Sequence, residues 1–426
     1  MAIPLPRSTG KRLLIAVSAA LIAFLAYSSV YAYRKPFTVG QFEGTRFFGI
    51  SYQTLLIISQ VVGYMLSKFY GIKFIAELRC LGRFRTGLIL TGTAWLSLLV
   101  FALVPAPYGL ACLFVNGFTL GFMWGIVFSY VEGRRATDFI GAVMATSFIF
   151  AGGFTRSVAK WLMVEWSVSE YWMPFITGLV FALPLMCFLW LLEKLPPPDE
   201  ADTRERHTRG PMDRGERIRF LRSFGPGITI VTGTYLLLTV MRDVRDNYMA
   251  NLWTELGFGN NYSIFSKTET NTSVIILGIM AMLVLIRKNS RALKLVHYVI
   301  ALGFLLAGVS SFLFVSGHMS GQAWMQLTGL GLYLGYIPFN CIFFERLIAA
   351  FRIDGNVGFL IYFADAFGYL GSVLVMLSKE FMDVKLNWSA FYSQSVVVCS
   401  LIGLAGTAFS LFYFQKKYAN HKTGSL

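Results

Sequence analysis

Apolar residues gather along this chain in twelve stretches of about 20 residues each, separated by short polar turns. The stretches centre near Ala23, Ile58, Thr93, Gly121, Phe150, Phe181, Tyr235, Ile276, Leu305, Tyr333, Gly368 and Gly403. A hydrocarbon layer of roughly 30 Å takes about 20 apolar residues of helix, so each stretch predicts a membrane-crossing helix. Val30-Tyr31-Ala32 at the end of the first has the form of a leader cleavage site. Its apolar part is too long for a leader and eleven more spans follow, so it too predicts a membrane helix. The longest hydrophilic run, Glu193 to Arg222, contains Pro196-Pro197-Pro198 and then mixed charge, as a linker does. It divides the chain into a six-helix half at 1–193, a cytoplasmic linker at 194–224 and a second six-helix half at 225–426.

Composition agrees with that pattern and removes several alternatives. The chain is 56% hydrophobic and only 14% charged, where a soluble domain is about a quarter charged. Disorder, a collagen-like chain and a disulfide framework are excluded. The five cysteines are scattered and form no CxxC pair or Cys/His cluster, which predicts no metal and no cofactor. A net charge of +15 suggests nucleic acid until the basic residues are placed. With the N-terminus inside, 27 of the 37 Lys and Arg fall in inside segments and four in outside loops. That is the positive-inside pattern of a multi-pass inner or plasma membrane protein with both termini cytoplasmic. Nucleic acid drops out, and the expected partners are the lipid bilayer and a small molecule, with the chain monomeric.

The six remaining cations lie within predicted helices: Arg34, Lys35, Arg156, Lys160, Arg242 and Arg245. A Lys or Arg at mid-bilayer costs about 2.5–3.5 kcal/mol on the insertion scale, so each needs water, an acid or an anion. Arg34 and Lys35 fall in the outer half of span one, near Tyr31, and Arg242 and Arg245 in the outer half of span seven. The two spans hold equivalent places in the two halves. A guanidinium from each half can grip a phosphate or carboxylate through bidentate hydrogen bonds. Asp243 beside Arg242, and Asp246 at i+4 from it, offer internal ion pairing instead. Arg156 and Lys160 share a face of span five about 25–30 Å along it, where snorkelling to the outer surface competes with lining a cavity. Asp365 is the acid deepest in the membrane by sequence, roughly 14 Å into span eleven, and predicts ion pairing or proton coupling. The adjoining Phe367-Gly-Tyr-Leu-Gly-Ser372 run predicts a close helix contact.

A weak parallel repeat supports the two halves. Glu132-Gly133-Arg134-Arg135 after span four has a counterpart in Glu345-Arg346, leading to Asn356-Val357-Gly358 after span ten. Twelve helices as two such halves, with a site at their interface, is the architecture of the major facilitator superfamily. Three local patterns resemble its organophosphate:phosphate antiporter branch. They are Tyr27, Tyr31, Arg34-Lys35 and Phe37 on span one, Tyr64 with Ser67-Lys68-Phe69 on span two, and the span-eleven run. More closely still, the sequence resembles a bacterial group of uncharacterised major-facilitator-like membrane proteins. The resemblance implies that Arg34 and Arg242 bind an anionic group with Lys35 assisting, Tyr31 and Tyr64 lining the site, while the helices rock in alternating access. Two features depart from the pattern. Gly71-Ile-Lys-Phe-Ile-Ala-Glu-Leu-Arg79 stands where the superfamily has Gly-xxx-Asp-Arg, and the branch's span-five histidine has no counterpart. Asp243, Asp246 and Asp365 add negative charge, so the substrate class widens to anions and zwitterions.

No Walker loop, HxxxxD or DxD motif stands in the chain, which predicts neither an ATP-driven pump nor a membrane transferase. The expected function is secondary transport of a small organic anion, a phosphorylated or carboxylate metabolite. The alternatives are proton-coupled symport of a neutral or zwitterionic metabolite through Asp365, and a non-transporting sensor with the same fold.

Overall fold

The computed structural model describes residues 9–77, 82–132, 134, 136–197, 214–286, 288–351, 358–381 and 387–422. Most of the predicted linker (198–213), Gly133 and Arg135 of the turn after span four, Arg79, and Asn356-Val357 lie outside the described residues. One long helix stands on each predicted span. These are α1 (Thr9–Tyr31), α2 (Tyr52–Glu77), α3 (Arg83–Leu103), α4 (Gly109–Ser129), α5 (Thr137–Glu165) and α6 (Met173–Glu193). Then come α7 (Arg214–Asn247), α8 (Ser263–Val284), α9 (Asn289–Val315), α10 (Gly321–Phe351), α11 (Gly358–Phe381) and α12 (Trp388–Lys422). Among the described residues nine are long and apolar enough to cross a membrane. The other three, α2, α8 and α11, run 26, 22 and 24 residues. All-helical structure follows from the solvent, because hydrocarbon offers no partner to an open backbone N–H or C=O. Leu183, Leu285 and Phe412 are typical of the outward faces, at 66–77% exposure, as a lipid-facing surface requires.

The chain packs as two compact units. The first comprises Met1–His207, Asn247–Ser273 and Met376–Asp383, the second Thr208–Asp246, Val274–Val375 and Val384–Leu426. In the first, α1 packs on α5 and α6, and α4 packs on α2 and α3. The α2–α4 contact is backbone to backbone. A Cβ on Gly117 would lie 2.1 Å from the Gln60 carbonyl oxygen, and one on Gly63 would lie 2.2 Å from that of Phe114. Small residues permit such approach where lipid supplies no hydrophobic drive between helices. In the second unit α9 packs on α10 and α12. Gly303 and Gly331 make the same kind of approach, a Cβ on either meeting the other's carbonyl oxygen at 2.5–2.6 Å.

The start of α2 is held within the first unit by a carboxylate from the end of α11. Glu380 accepts from the Ser51 amide at 3.2 Å, Thr54 Oγ1 at 2.8 Å and the Ser51 hydroxyl, and Arg46 lies 3.3 Å from it. Thr54 Oγ1 also shares a 2.6 Å hydrogen bond with the Tyr248 hydroxyl. An anionic acceptor at a helix N-terminus satisfies open N–H groups and opposes the helix dipole. Glu380→Ala is therefore expected to raise hydrogen exchange over residues 51–54 by about tenfold, with the centre of α2 unchanged. Unchanged exchange at 51–54 would show that the carboxylate holds nothing.

Candidate functional site

The cationic segment after α1 owes its form to Pro36. Lacking an N–H, Pro36 cannot continue the helical ladder, and α1 stops at Tyr31 rather than running through Lys35. The Arg34 and Lys35 amides both bond back to the Tyr31 carbonyl, and a 3₁₀ turn follows at Pro36–Val39. Arg34 thus sits in a turn, half-buried, with its guanidinium carbon 3.8 Å from the centre of the Tyr64 ring on α2 and 5.8 Å from that of Tyr31. Lys68, one helical turn beyond Tyr64, places its ammonium 5.2 Å from the same ring. The structure therefore brings Arg34, Tyr31 and Tyr64 together. Lys35 points elsewhere: it is 5% exposed and donates to Asn247 Oδ1 at 3.0 Å.

Two side chains on α5 behave differently from each other. Arg156 is fully buried, so snorkelling does not describe it. Its Nε donates to Thr38 Oγ1 at 3.0 Å and its Nη1 to the Gly152 carbonyl at 2.9 Å. Depth along a helix can be counted from sequence, but the face it turns inward cannot, and the 3₁₀ turn carrying Thr38 covers this one. Lys160, one turn further, is half-buried. Glu269 on α8 is a further buried acid, 1% exposed, packed against Gly153 one turn from Arg156. Its place near the start of α8, beside Lys267, hid it among loop charges in the sequence.

The second unit holds a cluster drawn from α7, α10 and α11. Arg242 lies over the Tyr336 ring at 4.0 Å and pairs with Asp243 at 2.5 Å. Internal pairing at this arginine is thus made by Asp243. Asp243 Oδ2 accepts from the Ser372 hydroxyl at 3.0 Å. Asp365 accepts from the Tyr235 hydroxyl at 2.5 Å, and the Tyr235 ring stacks on Tyr336 with centroids 5.3 Å apart. Arg242, Asp243 and Asp365 therefore belong to one run of contacts, Asp365 to Tyr235 to Tyr336 to Arg242 to Asp243 to Ser372. Arg245, 1% exposed, donates to the Met325 carbonyl at 3.1 Å and lies on Gly329, where a Cβ would meet it at 2.4 Å. Asp246 is half-buried. The span-eleven run makes the close contact its glycines suggest: a Cβ on Gly368 would lie 2.7 Å from Thr239 on α7. The same run supplies Ser372.

Sequence reasoning passed over Tyr235, Tyr336, Gln60 and Asn116. In a chain 16% aromatic a single Tyr carries no signal. Gln60 and Asn116 are polar amides inside apolar spans, and that was the available sign.

Residues 36–417 match the family DUF5690, described as a family of unknown function. The chain belongs to that family. No curated protein matches it in sequence. In structure the chain is similar to the nucleoside transporter NupG, with a TM-score of 0.62 and 14% identity over 93% of this chain and 99% of that one. It is also similar to the xylose transporter XylE from E. coli (TM-score 0.57, 14% identity, 91% and 95% covered). A bacterial homolog of the human lysosomal transporter Spinster matches at a TM-score of 0.58 and 13% identity, with 95% and 97% covered. Likeness at such identity establishes the fold, an all-α membrane bundle of the major-facilitator type.

Proposed function

We propose that this protein is a secondary transporter that moves a small organic anion, phosphorylated or carboxylate, across the cytoplasmic membrane by alternating access. Arg34 and Arg242 bind the anionic group, Lys35 assists, both termini lie inside, the chain works as a monomer and no chemical step is catalysed. One observation carries the reading: each arginine, on its own unit, lies over a tyrosine ring, at 3.8 and 4.0 Å. A tyrosine ring stabilises a guanidinium held away from water, and the guanidinium's planar N–H fork is the group that grips a carboxylate or phosphate bidentately. The fold shared with transporters and the local likeness to organophosphate:phosphate antiporters support it further. A thermal-shift screen of organophosphates, carboxylates and sugars, followed by counterflow in proteoliposomes, tests the proposal. Stabilisation by sugars alone would overturn the anion class, and binding without counterflow would identify a sensor.

A second reading rests on the acids beside Arg242. Asp243 already compensates that guanidinium, and Asp365 sits in the same run of contacts through Tyr235. A proton-coupled symporter of a zwitterionic or neutral metabolite would use Asp365 as its protonatable group. On that reading Asp365→Asn flattens the pH dependence of uptake while binding persists. An unaltered pH profile assigns Asp365 to packing through Tyr235.

A further inference from the structure

The end of α1 leaves carbonyl groups open where the arginine must be held. In an unbroken helix the Tyr33 and Arg34 carbonyls would accept from residues 37 and 38, but the Thr38 amide bonds to Lys35 instead. Two buried amides take over. Gln60 Nε2 on α2 donates to the Arg34 carbonyl at 2.9 Å and to Asn116 Oδ1 at 2.8 Å. Asn116 Nδ2 on α4 donates to the Tyr33 carbonyl at 3.0 Å and to the Ala94 carbonyl on α3 at 3.1 Å. A carboxamide nitrogen carries two hydrogens, so all four are used. Asn116 is fully buried and Gln60 is 4% exposed, which makes every one of these bonds costly to lose.

We infer that Gln60 and Asn116 are positioning residues for Arg34: as a connected amide pair they grip the two carbonyls around it and set the guanidinium over the ring of Tyr64. The inference rests on the reading of Arg34 as a substrate ligand. Gln60 fits that role doubly, because Tyr64 follows it by one helical turn on α2. The amide that holds the backbone and the ring that faces the guanidinium are thus fixed to the same helix face. Asparagine and glutamine suit the place because it calls for a neutral group that both donates and accepts. Aspartate has the same shape and no N–H, and would set a carboxylate against two carbonyl oxygens.

Asn116→Asp, Gln60→Met, Arg34→Ala and the double variant Asn116→Asp/Arg34→Ala test the inference. Two readouts are used: hydrogen exchange across residues 32–36, and binding of inorganic phosphate and glycerol 3-phosphate by thermal shift. Exchange at 32–36 is expected to rise by about tenfold in both amide variants, with the centres of α2 and α4 still protected. Phosphate affinity is expected to fall by a similar factor in Asn116→Asp, but by no further amount when Arg34 is already Ala. Unchanged exchange at 32–36 overturns the inference, whatever the probes do. Equal affinity losses from Asn116→Asp with and without Arg34 also overturn it, since the amide would then act on the fold at large. If Arg34→Ala leaves phosphate binding intact, or neither probe binds the native chain, the anion-binding reading fails and Arg34 loses its role as the thing positioned.

Discussion

Arg34→Ala is expected to abolish stabilisation by an anionic ligand while the protein still folds and reaches the membrane. Truncating one partner of a buried, hydrogen-bonded charge pair costs about 2–5 kcal/mol, a loss of affinity of about 30-fold or more. Arg242→Ala should lose ligand binding to a similar degree, yet its effect on the fold differs. Arg242 is the cation 2.5 Å from Asp243, whose side chain is 9% exposed. Removing it leaves a buried carboxylate with the Ser372 hydroxyl but without its counter-charge, a penalty of about 3–5 kcal/mol when a buried pair is broken from one side. Arg242→Ala is therefore expected to lower the melting temperature more than Arg34→Ala does. The double variant Arg242→Ala/Asp243→Asn removes both charges and should recover most of that stability without recovering binding. Thermal shift of the four proteins with and without ligand checks both statements. Normal ligand stabilisation in Arg34→Ala and in the double variant would sink the arginine site.

The contrast between these arginines shows what the sequence could and could not convey. That the helices span the membrane was legible because lipid demands apolar runs of a fixed length, and twelve are present. Arg34, Arg242 and Asp365 were legible because an ion in such a run is costly and conspicuous. Arg156 was conspicuous for the same reason, but whether it snorkels or is buried depends on what covers its face of α5. The cover is Thr38, on a turn that exists only because Pro36 ends α1. Gln60 and Asn116 showed only as amides in apolar spans, and their role was hidden for a related cause. Their partners are backbone carbonyls, and no side-chain pattern records that a carbonyl has lost its helical donor. Tyr235 and Tyr336 vanish among 20 tyrosines until their rings are seen between Asp365 and Arg242. Single residues announced themselves by charge, and the groups that orient them did not.

A large loss of stability is also expected where no charge is involved, at Gly117. A methyl there would meet the Gln60 carbonyl oxygen at 2.1 Å and its carbon at 2.9 Å. Both are backbone atoms and cannot rotate aside as a side chain would. Relief requires α2 and α4 to separate, and forcing extra carbons into a packed contact costs about 1–3 kcal/mol and more for larger groups. Gly117→Ala should lower the melting temperature measurably, and Gly117→Leu should leave little folded protein in detergent. The same residue links packing to the site. Gly117 follows Asn116, and Gly63 lies between Gln60 and Tyr64. The close approach of the two helices therefore brings the two amides together and sets the height of the ring beneath Arg34. Parting them by the width of a methyl stretches the 2.8 Å bond from Gln60 to Asn116. Gly117→Ala is accordingly expected to speed exchange across residues 32–36 as well as to destabilise. Gly331→Ala supplies the comparison, because its methyl would meet the Gly303 carbonyl oxygen at 2.6 Å in the second unit. It should destabilise to a similar extent and leave exchange at 32–36 as it was. Equal acceleration in both variants would mean that the turn carrying Arg34 responds to global stability alone, and that the α2–α4 contact has no particular hold on it.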